Sequence, residues 1–196
     1  RAAPDAEIGA DDSVFDAETI LAVQRVNSET GTLNPVDRMA RTLKDSGAIV
    51  ISDCAQSAGK IELPSVDMAI VSAHKLGGPV GIGALLVRDF NLLEPIGGHE
   101  RGYRQGTENA PGALGFAAAL EAGDWATTEG QRGDFSLAIG EHRLTVGQPV
   151  DYIYALTHPT MSAQALLIRL DAMGFAVSAG SACSSGTLKK SRVLDA

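Results

Sequence analysis

The sequence has few cysteines and no long apolar run. Its two cysteines, Cys54 and Cys183, are too few for a disulfide framework or a four-sulfur zinc site, so each has to be judged alone. No stretch approaches the roughly 20 uninterrupted apolar residues that a membrane span needs. Residues 1–13 also lack the basic-then-apolar order of a signal peptide. We therefore expect a cytoplasmic protein without a membrane partner.

The chain also lacks a dense cluster of lysine and arginine, and its net charge is −8. Phosphate backbones are bound by dense basic surfaces, which argues against nucleic acid as a direct partner. No histidine and cysteine cluster has metal-ligand spacing, so we expect no metal site. What remains is a 196-residue chain, 44% hydrophobic and 20% charged, typical of one or two globular domains that bind a small molecule or another protein.

Apolar runs alternate with amphipathic segments, which predicts an α/β fold. A helix is predicted over 34–47, because Pro35 suits a first turn, apolar residues recur on one face and Gly47 can end it. The remaining predicted elements are helices at 110–123 and 162–174, a strand-like segment at 175–179, and short apolar strands at 48–52, 67–72 and 81–87. The last three are of the kind that parallel sheets bury on both faces. Residues 124–160 show no clear pattern.

Polar residues follow the first two of these strands, where open α/β sheets bind their ligands. They are Asp53, Gln56, Ser72, His74 and Lys75. Pyridoxal phosphate needs a lysine for its Schiff base, a carboxylate that keeps its ring nitrogen protonated, and donors around its phosphate. Lys75 would be the Schiff-base residue, Asp53 the partner of the ring nitrogen, and Ser72 and His74 the phosphate ligands.

A glycine run follows the lysine and would let the backbone turn sharply beside a cofactor. It comprises Gly77, Gly78 and Gly81. The alternative is that these residues have no role in binding, since a lysine after a strand is usually solvated and an aspartate there usually caps a turn. The combination and order of these residues favour the cofactor interpretation.

Four blocks resemble, in order, the motifs of the cysteine desulfurases, which are fold-type I pyridoxal phosphate enzymes of the class V aminotransferase superfamily. The blocks are ISDCAQSAGKIEL, VSAHKLGGPVGIGALLV, GGHERGYRQGTENAPGALGFAAAL and VSAGSACSSGTL. The match is closest to the nitrogen-fixation and iron-sulfur-cluster branch, and it covers most of residues 22–194 apart from about 124–160. It implies a cofactor-binding large domain at 1–120, incomplete at its N-terminus, with a mainly parallel sheet flanked by helices. Residues 121–196 would form part of a smaller α+β domain that carries the cysteine loop.

The resemblance also implies roles for single residues. Lys75 matches the Schiff-base lysine, Asp53 the carboxylate at the ring nitrogen, and Gln56 the donor to the cofactor's phenolic oxygen. Ser72 and His74 match phosphate ligands, and we expect His74 to be a catalytic residue as well. Thr107 matches a threonine that reaches the phosphate in the neighbouring subunit's site, which implies a homodimer.

Cys183 matches the nucleophile that takes sulfur from L-cysteine, leaving L-alanine and a persulfide. The small residues around it in SAGSACSSGT predict a flexible loop, which suits a sulfur atom that must reach the cofactor and then an acceptor. A cysteine among serines and glycines is otherwise simply a small loop residue. The implied acceptor is a protein such as an iron-sulfur scaffold, for cluster assembly or tRNA thiolation.

Other residues keep two interpretations or depart from the family pattern. Cys54 is expected to be a buried small hydrophobe. An ion-paired loop explains the charged residues of GGHERGYRQGTEN about as well as ligand contact does. Ser28 stands where the family has an asparagine near the phenolic oxygen, a contact that Asn27 or water would then supply.

Two segments that carry family residues, a ring-stacking histidine and a substrate-binding arginine, are absent from this sequence. The alternatives to a cysteine desulfurase are therefore a related lyase or transaminase, such as a selenocysteine lyase, and a non-catalytic fragment of the family.

Overall fold

The computed structural model describes residues 15–123 and 127–179, and Cys183 with its loop lies outside them. In chain order, the elements are β1 (Ile20–Gln24), α1 (Val36–Leu43), β2 (Ile49–Asp53), β3 (Met68–Ser72), β4 (Gly83–Val87), α2 (Ala110–Ala122), α3 (Glu129–Ile139), β5 (Arg143–Leu144), β6 (Ala155–Leu156) and α4 (Ala163–Ala172). Within this part of the chain, no helix is both long and apolar enough to cross a membrane.

The described residues divide into two compact units. One, here called the sheet unit, comprises residues 15–25 and 35–123. The other, here called the mixed unit, comprises residues 26–34 and 127–179. The domain boundary near residue 120 stays a prediction.

The sheet unit contains one four-stranded sheet in the order β1-β2-β3-β4. Strands β1, β2 and β3 run parallel, with Gln24 opposite Asp53 and Asp53 opposite Ile70. Carboxyl ends of parallel strands lie at the same edge of a sheet, so the residues that follow β2 and β3 come together there. The mainly parallel sheet expected from the sequence is confirmed.

Strand β4 differs from its prediction in direction and in burial. It pairs antiparallel with β3, with Val71 opposite Ala84, and its Leu85 and Leu86 are exposed. Residues 73–82, which join the two strands, are too few for the crossover of a dozen or more residues that a parallel return requires. The expectation that this apolar run is a parallel strand buried on both faces was therefore wrong.

Helix α1 packs on the sheet through the apolar face that the sequence predicts. Val36 and Leu43 are fully buried and belong to the same core cluster as Val50 and Val71. The helix continues as a short 3₁₀ turn and stops at Gly47, whose φ of 79° is left-handed. Glycine adopts that conformation at little cost, and the predicted stop at this residue is confirmed.

The mixed unit fills the stretch that showed no clear sequence pattern. Helix α3 begins with a capping box, in which Thr128 Oγ1 accepts from Gln131 N and Gln131 Oε1 accepts from Thr128 N. Strands β5 and β6 form a short antiparallel pair. Residues 26–34 join this unit through a hydrogen bond from Thr32 Oγ1 to the Val146 carbonyl at 2.7 Å.

The strand-like segment 175–179 is not a strand. Helix α4 ends at Ala172, and Gly174, at φ 86°, closes the turn as expected. Phe175 and Val177 are then exposed. An apolar alternation becomes a strand only beside a partner, and none of the described strands pairs with this segment.

The core assignment predicts unequal costs for two helical leucines. Leu43→Ala should lower the free energy of unfolding by about 2–5 kcal/mol, because it removes a fully buried side chain and leaves a cavity. Leu114 of α2 is 73% exposed, so Leu114→Ala should cost less than about 0.5 kcal/mol. Urea unfolding of both variants checks this, and similar losses would contradict the assignment.

Candidate active site

Asp53 is the last residue of β2 and is held from both neighbouring strands. Its carbonyl accepts from Arg25 N at 2.8 Å, and the next residue, Cys54, donates its N–H to the Ile70 carbonyl at 2.9 Å. The Asp53 side chain is exposed, and its Oδ1 accepts from Ala55 N at 2.9 Å, which starts the turn after the strand. The backbone is therefore fixed while the carboxylate stays accessible at the sheet edge.

The turn at residues 55–60 folds back on the end of β2. Ser57 and Ala58 are buried and donate their backbone N–H groups to the Cys54 carbonyl at 3.0 and 2.8 Å. Cys54 is itself fully buried, as expected for a small core hydrophobe. Gln56 is half-buried in the same turn and so lies next to Asp53 along this edge.

The end of β3 leads directly into the turn that carries the lysine. Ser72 Oγ and His74 Nδ1 are 2.8 Å apart and share a hydrogen bond. Residues Ala73–Leu76 form a 3₁₀ turn that closes at Gly77, whose φ of 81° is left-handed. Lys75 is half-buried and His74 is exposed. The strand end and the turn thus present a hydroxyl, an imidazole and an amine in four consecutive residues.

Small residues of α2 let this lysine turn approach the helix closely. A Cβ atom at Gly115 would lie 2.6 Å from Pro79 Cγ, and one at Gly78 would lie 3.3 Å from Ala119 Cβ. Gly78 N also donates to the Ala73 carbonyl at 2.9 Å. Gly78 therefore has a packing reason, and the Gly115 and Ala119 pair, four residues apart, is a helix-spacing signal that sequence reasoning missed.

The two turns at this edge also contact each other. A Cβ atom at Gly59 would lie 2.5 Å from Leu76 Cδ2, so the turn that carries Lys60 packs against the turn that carries Lys75. The pKa of Lys60 is lowered from its ordinary value of 10.5, chiefly because burial disfavours the charged form and also because Lys75 is a nearby like charge. Lys60 was missed from sequence, although it stands in the same motif block as Asp53.

The other predicted site residues lie in other segments of the chain. Thr107 is exposed in a separate loop of the sheet unit, just before α2. Asn27 and Ser28 belong to the mixed unit, where Asn27 Oδ1 accepts from Glu29 N at 2.9 Å and from Thr30 N at 3.0 Å. The sheet edge thus brings together Asp53, Gln56, Ser72, His74 and Lys75. Cys183 lies outside the described residues.

Residues 10–132 match the family model for class-V aminotransferases. The chain belongs to this family. In this class-V aminotransferase chain, the predicted polar site residues lie at the carboxyl edge of a mainly parallel sheet, and Lys75 lies in the turn that follows β3.

Curated relatives of this class-V chain are named cysteine desulfurases. It is 37% identical over 195 residues to a cysteine desulfurase of Bradyrhizobium diazoefficiens, a match that covers 90% of this chain and 50% of the relative. It is 34% identical over 200 residues to the cysteine desulfurase NifS of Azotobacter vinelandii, with 92% and 50% covered. The chain therefore spans about half the length of the curated relatives it matches.

A solved structure, SspA in complex with cysteine, has the same fold as this chain. The TM-score is 0.74 at 28% sequence identity, and the match covers 90% of this chain and 54% of that one. The expected fold class and the resemblance to cysteine desulfurases are both confirmed.

The lowered pKa of Lys60 predicts how stability depends on pH. Between that pKa and 10.5 the unfolded chain binds more protons than the folded one, so the free energy of unfolding should rise with pH across this window. Lys60→Met should remove the rise, since it deletes the group that titrates. Urea unfolding at a series of pH values up to 10.5 measures it.

Lys44→Met is the matched control, because Lys44 is an exposed lysine of the same unit. It should keep the rise seen in the wild type. A Lys60→Met profile identical to the wild type would contradict the burial of Lys60.

Proposed function

We propose that this chain is part of a pyridoxal 5′-phosphate-dependent cysteine desulfurase. The enzyme takes sulfur from L-cysteine, releases L-alanine and holds the sulfur as a persulfide on Cys183. The observation that carries the proposal is the sheet edge itself. Asp53 ends β2 there, Ser72 ends β3, and His74 and Lys75 lie in the turn that follows. The names of the curated relatives support the same activity.

The residues at this edge fit the cofactor. They supply one amine, one carboxylate, one hydroxyl and one imidazole, which are the groups that pyridoxal 5′-phosphate requires. Beside them the backbone is restricted to glycine, since a Cβ atom at Gly78 would lie 3.0 Å from the Ala73 carbonyl oxygen and Gly77 is left-handed. The edge therefore has both the donors and the close backbone approach that a flat ring with a phosphate needs.

When bound, the cofactor supplies an aldehyde that condenses with amines and a ring that draws electrons away from the substrate's α-carbon. Lys75 would hold it covalently. The exposed carboxylate of Asp53 would keep a proton on the ring nitrogen, and Gln56 would donate to the phenolic oxygen. Each role suits the accessibility of these side chains at the ends of β2 and β3.

The hydrogen bond between Ser72 and His74 constrains their protons. If the Ser72 hydroxyl donates to a phosphate oxygen, its Oγ must accept from His74, so His74 carries a proton on Nδ1. The imidazole would thus orient the hydroxyl toward the phosphate and add positive character beside it. His74 is exposed, so its other nitrogen remains within reach of a ligand at this edge.

The sulfur transfer uses one thiol of the protein. The Cys183 thiolate attacks the sulfur of the bound cysteine, an S–S bond forms, the C–S bond breaks, and the β-carbon takes up a proton to become the methyl group of alanine. Cysteine and one enzyme thiol are thereby converted into alanine and one persulfide.

The proposal extends to the assembly and its partners. Thr107 would reach the phosphate bound by a neighbouring copy, which makes the enzyme a homodimer. The persulfide would pass in the cytoplasm to an acceptor protein, such as an iron-sulfur scaffold, for cluster assembly or tRNA thiolation.

Replacing the proposed sulfur carrier tests the activity. Cys183→Ala should lower sulfide release from L-cysteine by a factor on the order of 10³ or more, because the nucleophile is lost. Binding of the cofactor should persist, since Lys75 is intact. A sulfide assay measures the first quantity and visible absorbance the second, and mass spectrometry of the protein shows whether the persulfide is lost.

Cys54→Ala is the matched control, because it removes the other thiol from a fully buried position. It should still form the persulfide. Undiminished sulfide release by Cys183→Ala would contradict the proposed function, and faster turnover of selenocysteine than of cysteine would point to a selenocysteine lyase.

A further inference from the structure

The exposed loop that carries Thr107 is held by bonds within itself. Gly97 N donates to the Gly102 carbonyl at 2.7 Å. His99 and Arg104 exchange both backbone hydrogen bonds, at 3.1 and 3.2 Å. Between them Glu100 and Arg101 have φ values of 49° and 60°, a left-handed conformation that costs energy outside glycine and persists only where the surroundings impose it.

The Arg104 side chain fixes the backbone on both sides of Thr107. Nη1 donates to the Gly106 carbonyl at 3.0 Å and Nη2 donates to the Thr107 carbonyl at 3.3 Å. The first carbonyl belongs to the peptide group before the Thr107 Cα atom and the second to the peptide group after it. One planar guanidinium thus restrains both backbone dihedrals of Thr107, and with them the direction of its side chain.

Further contacts hold the two ends of this loop. His99 Nδ1 and Glu108 Oε1 form a short hydrogen bond, so the residue after Thr107 is tied back to the start of the loop. That bond is the main cause of the lowered pKa of Glu108. Gln105 Nε2 donates to the Ile96 carbonyl at 2.8 Å, and Arg104 Nε lies 3.6 Å from Glu100 Oε1. The ion pairs expected under one of the two interpretations of this loop are present, between His99 and Glu108 and between Arg104 and Glu100.

We propose that Arg104 is a positioning residue for the phosphate of the cofactor, acting through Thr107. Its guanidinium contacts the carbonyls of Gly106 and Thr107, while the Thr107 side chain lies exposed where it can donate its hydroxyl. The inference rests on the proposed function, because it needs a cofactor phosphate to be bound. It predicts that loss of Arg104 weakens the binding of the phosphate group and not of the rest of the cofactor.

Two probes separate these effects in the full-length protein: pyridoxal 5′-phosphate and pyridoxal, which lacks the phosphate. Arg104→Gln should weaken pyridoxal 5′-phosphate about tenfold, in the range of a lost charge-assisted hydrogen bond. It should leave pyridoxal binding unchanged. The affinity of Arg104→Lys for pyridoxal 5′-phosphate should lie between those of the wild type and Arg104→Gln, because lysine keeps the charge but lacks the fork that contacts two carbonyls.

A double-mutant cycle asks whether Arg104 acts through Thr107. Once Thr107→Ala has removed the hydroxyl, adding Arg104→Gln should cost no further affinity for pyridoxal 5′-phosphate. A residue that only stabilises the fold would instead weaken binding in both backgrounds and would weaken both probes.

Two neighbouring glycines give a disrupting variant and its control. A Cβ atom at Gly97 would lie 2.0 Å from the Arg104 carbonyl oxygen, whereas nothing lies within 4 Å of one at Gly98. Gly97→Ala should therefore reproduce the phosphate-specific loss of Arg104→Gln, and Gly98→Ala should bind both probes like the wild type.

The outcomes distinguish this inference from the proposed function. Equal weakening of both probes, additive losses in the cycle, or unchanged binding by Arg104→Gln would overturn the role of Arg104 and leave the proposed function standing. A wild-type protein that binds neither probe would overturn both.

Discussion

The parallel pairing of β2 with β3 is the constraint on which the rest of the site depends. It places Asp53 opposite Ile70, and the Cys54 N–H continues the ladder by donating to the Ile70 carbonyl. Because this register fixes where each strand ends, the carboxylate that follows one strand and the lysine turn that follows the other share one edge of the sheet. A slip of one residue would move Asp53 to the opposite face and separate the carboxylate from the other polar groups.

Close packing then determines the shape of that edge. The lysine turn lies against Gly115 and Ala119 of α2 on one side and against the Gly59 turn on another. Side chains larger than these would push the turn away from its neighbours, so glycine here serves contact as well as backbone freedom. The same packing half-buries Lys60, whose pKa is lowered by that burial and by the like charge of Lys75.

Much of this arrangement could be predicted from the sequence, because strand ends, helix stops and motif order are local signals. The strand ends at Asp53 and Ser72 and the stop of α1 at Gly47 can be predicted in that way. The direction of β4 and the missing strand at 175–179 depend instead on connection length and on which partners are present. The contact of the Gly59 turn with Leu76 depends on tertiary geometry that no local pattern encodes. The fork of Arg104 reaches only two and three residues along the chain, but sequence periodicity does not predict the conformation of an irregular loop.

In the proposed function Lys75, and not Lys60 of the adjacent turn, is the amine that holds the cofactor. The most direct measurement is peptide mass mapping of the protein after incubation with pyridoxal 5′-phosphate and reduction with borohydride, which converts the attachment into a stable bond. We expect one dominant modified peptide, with the mass of the pyridoxyl group on Lys75. Dominant modification of Lys60, or modification scattered over the exposed lysines, would contradict it.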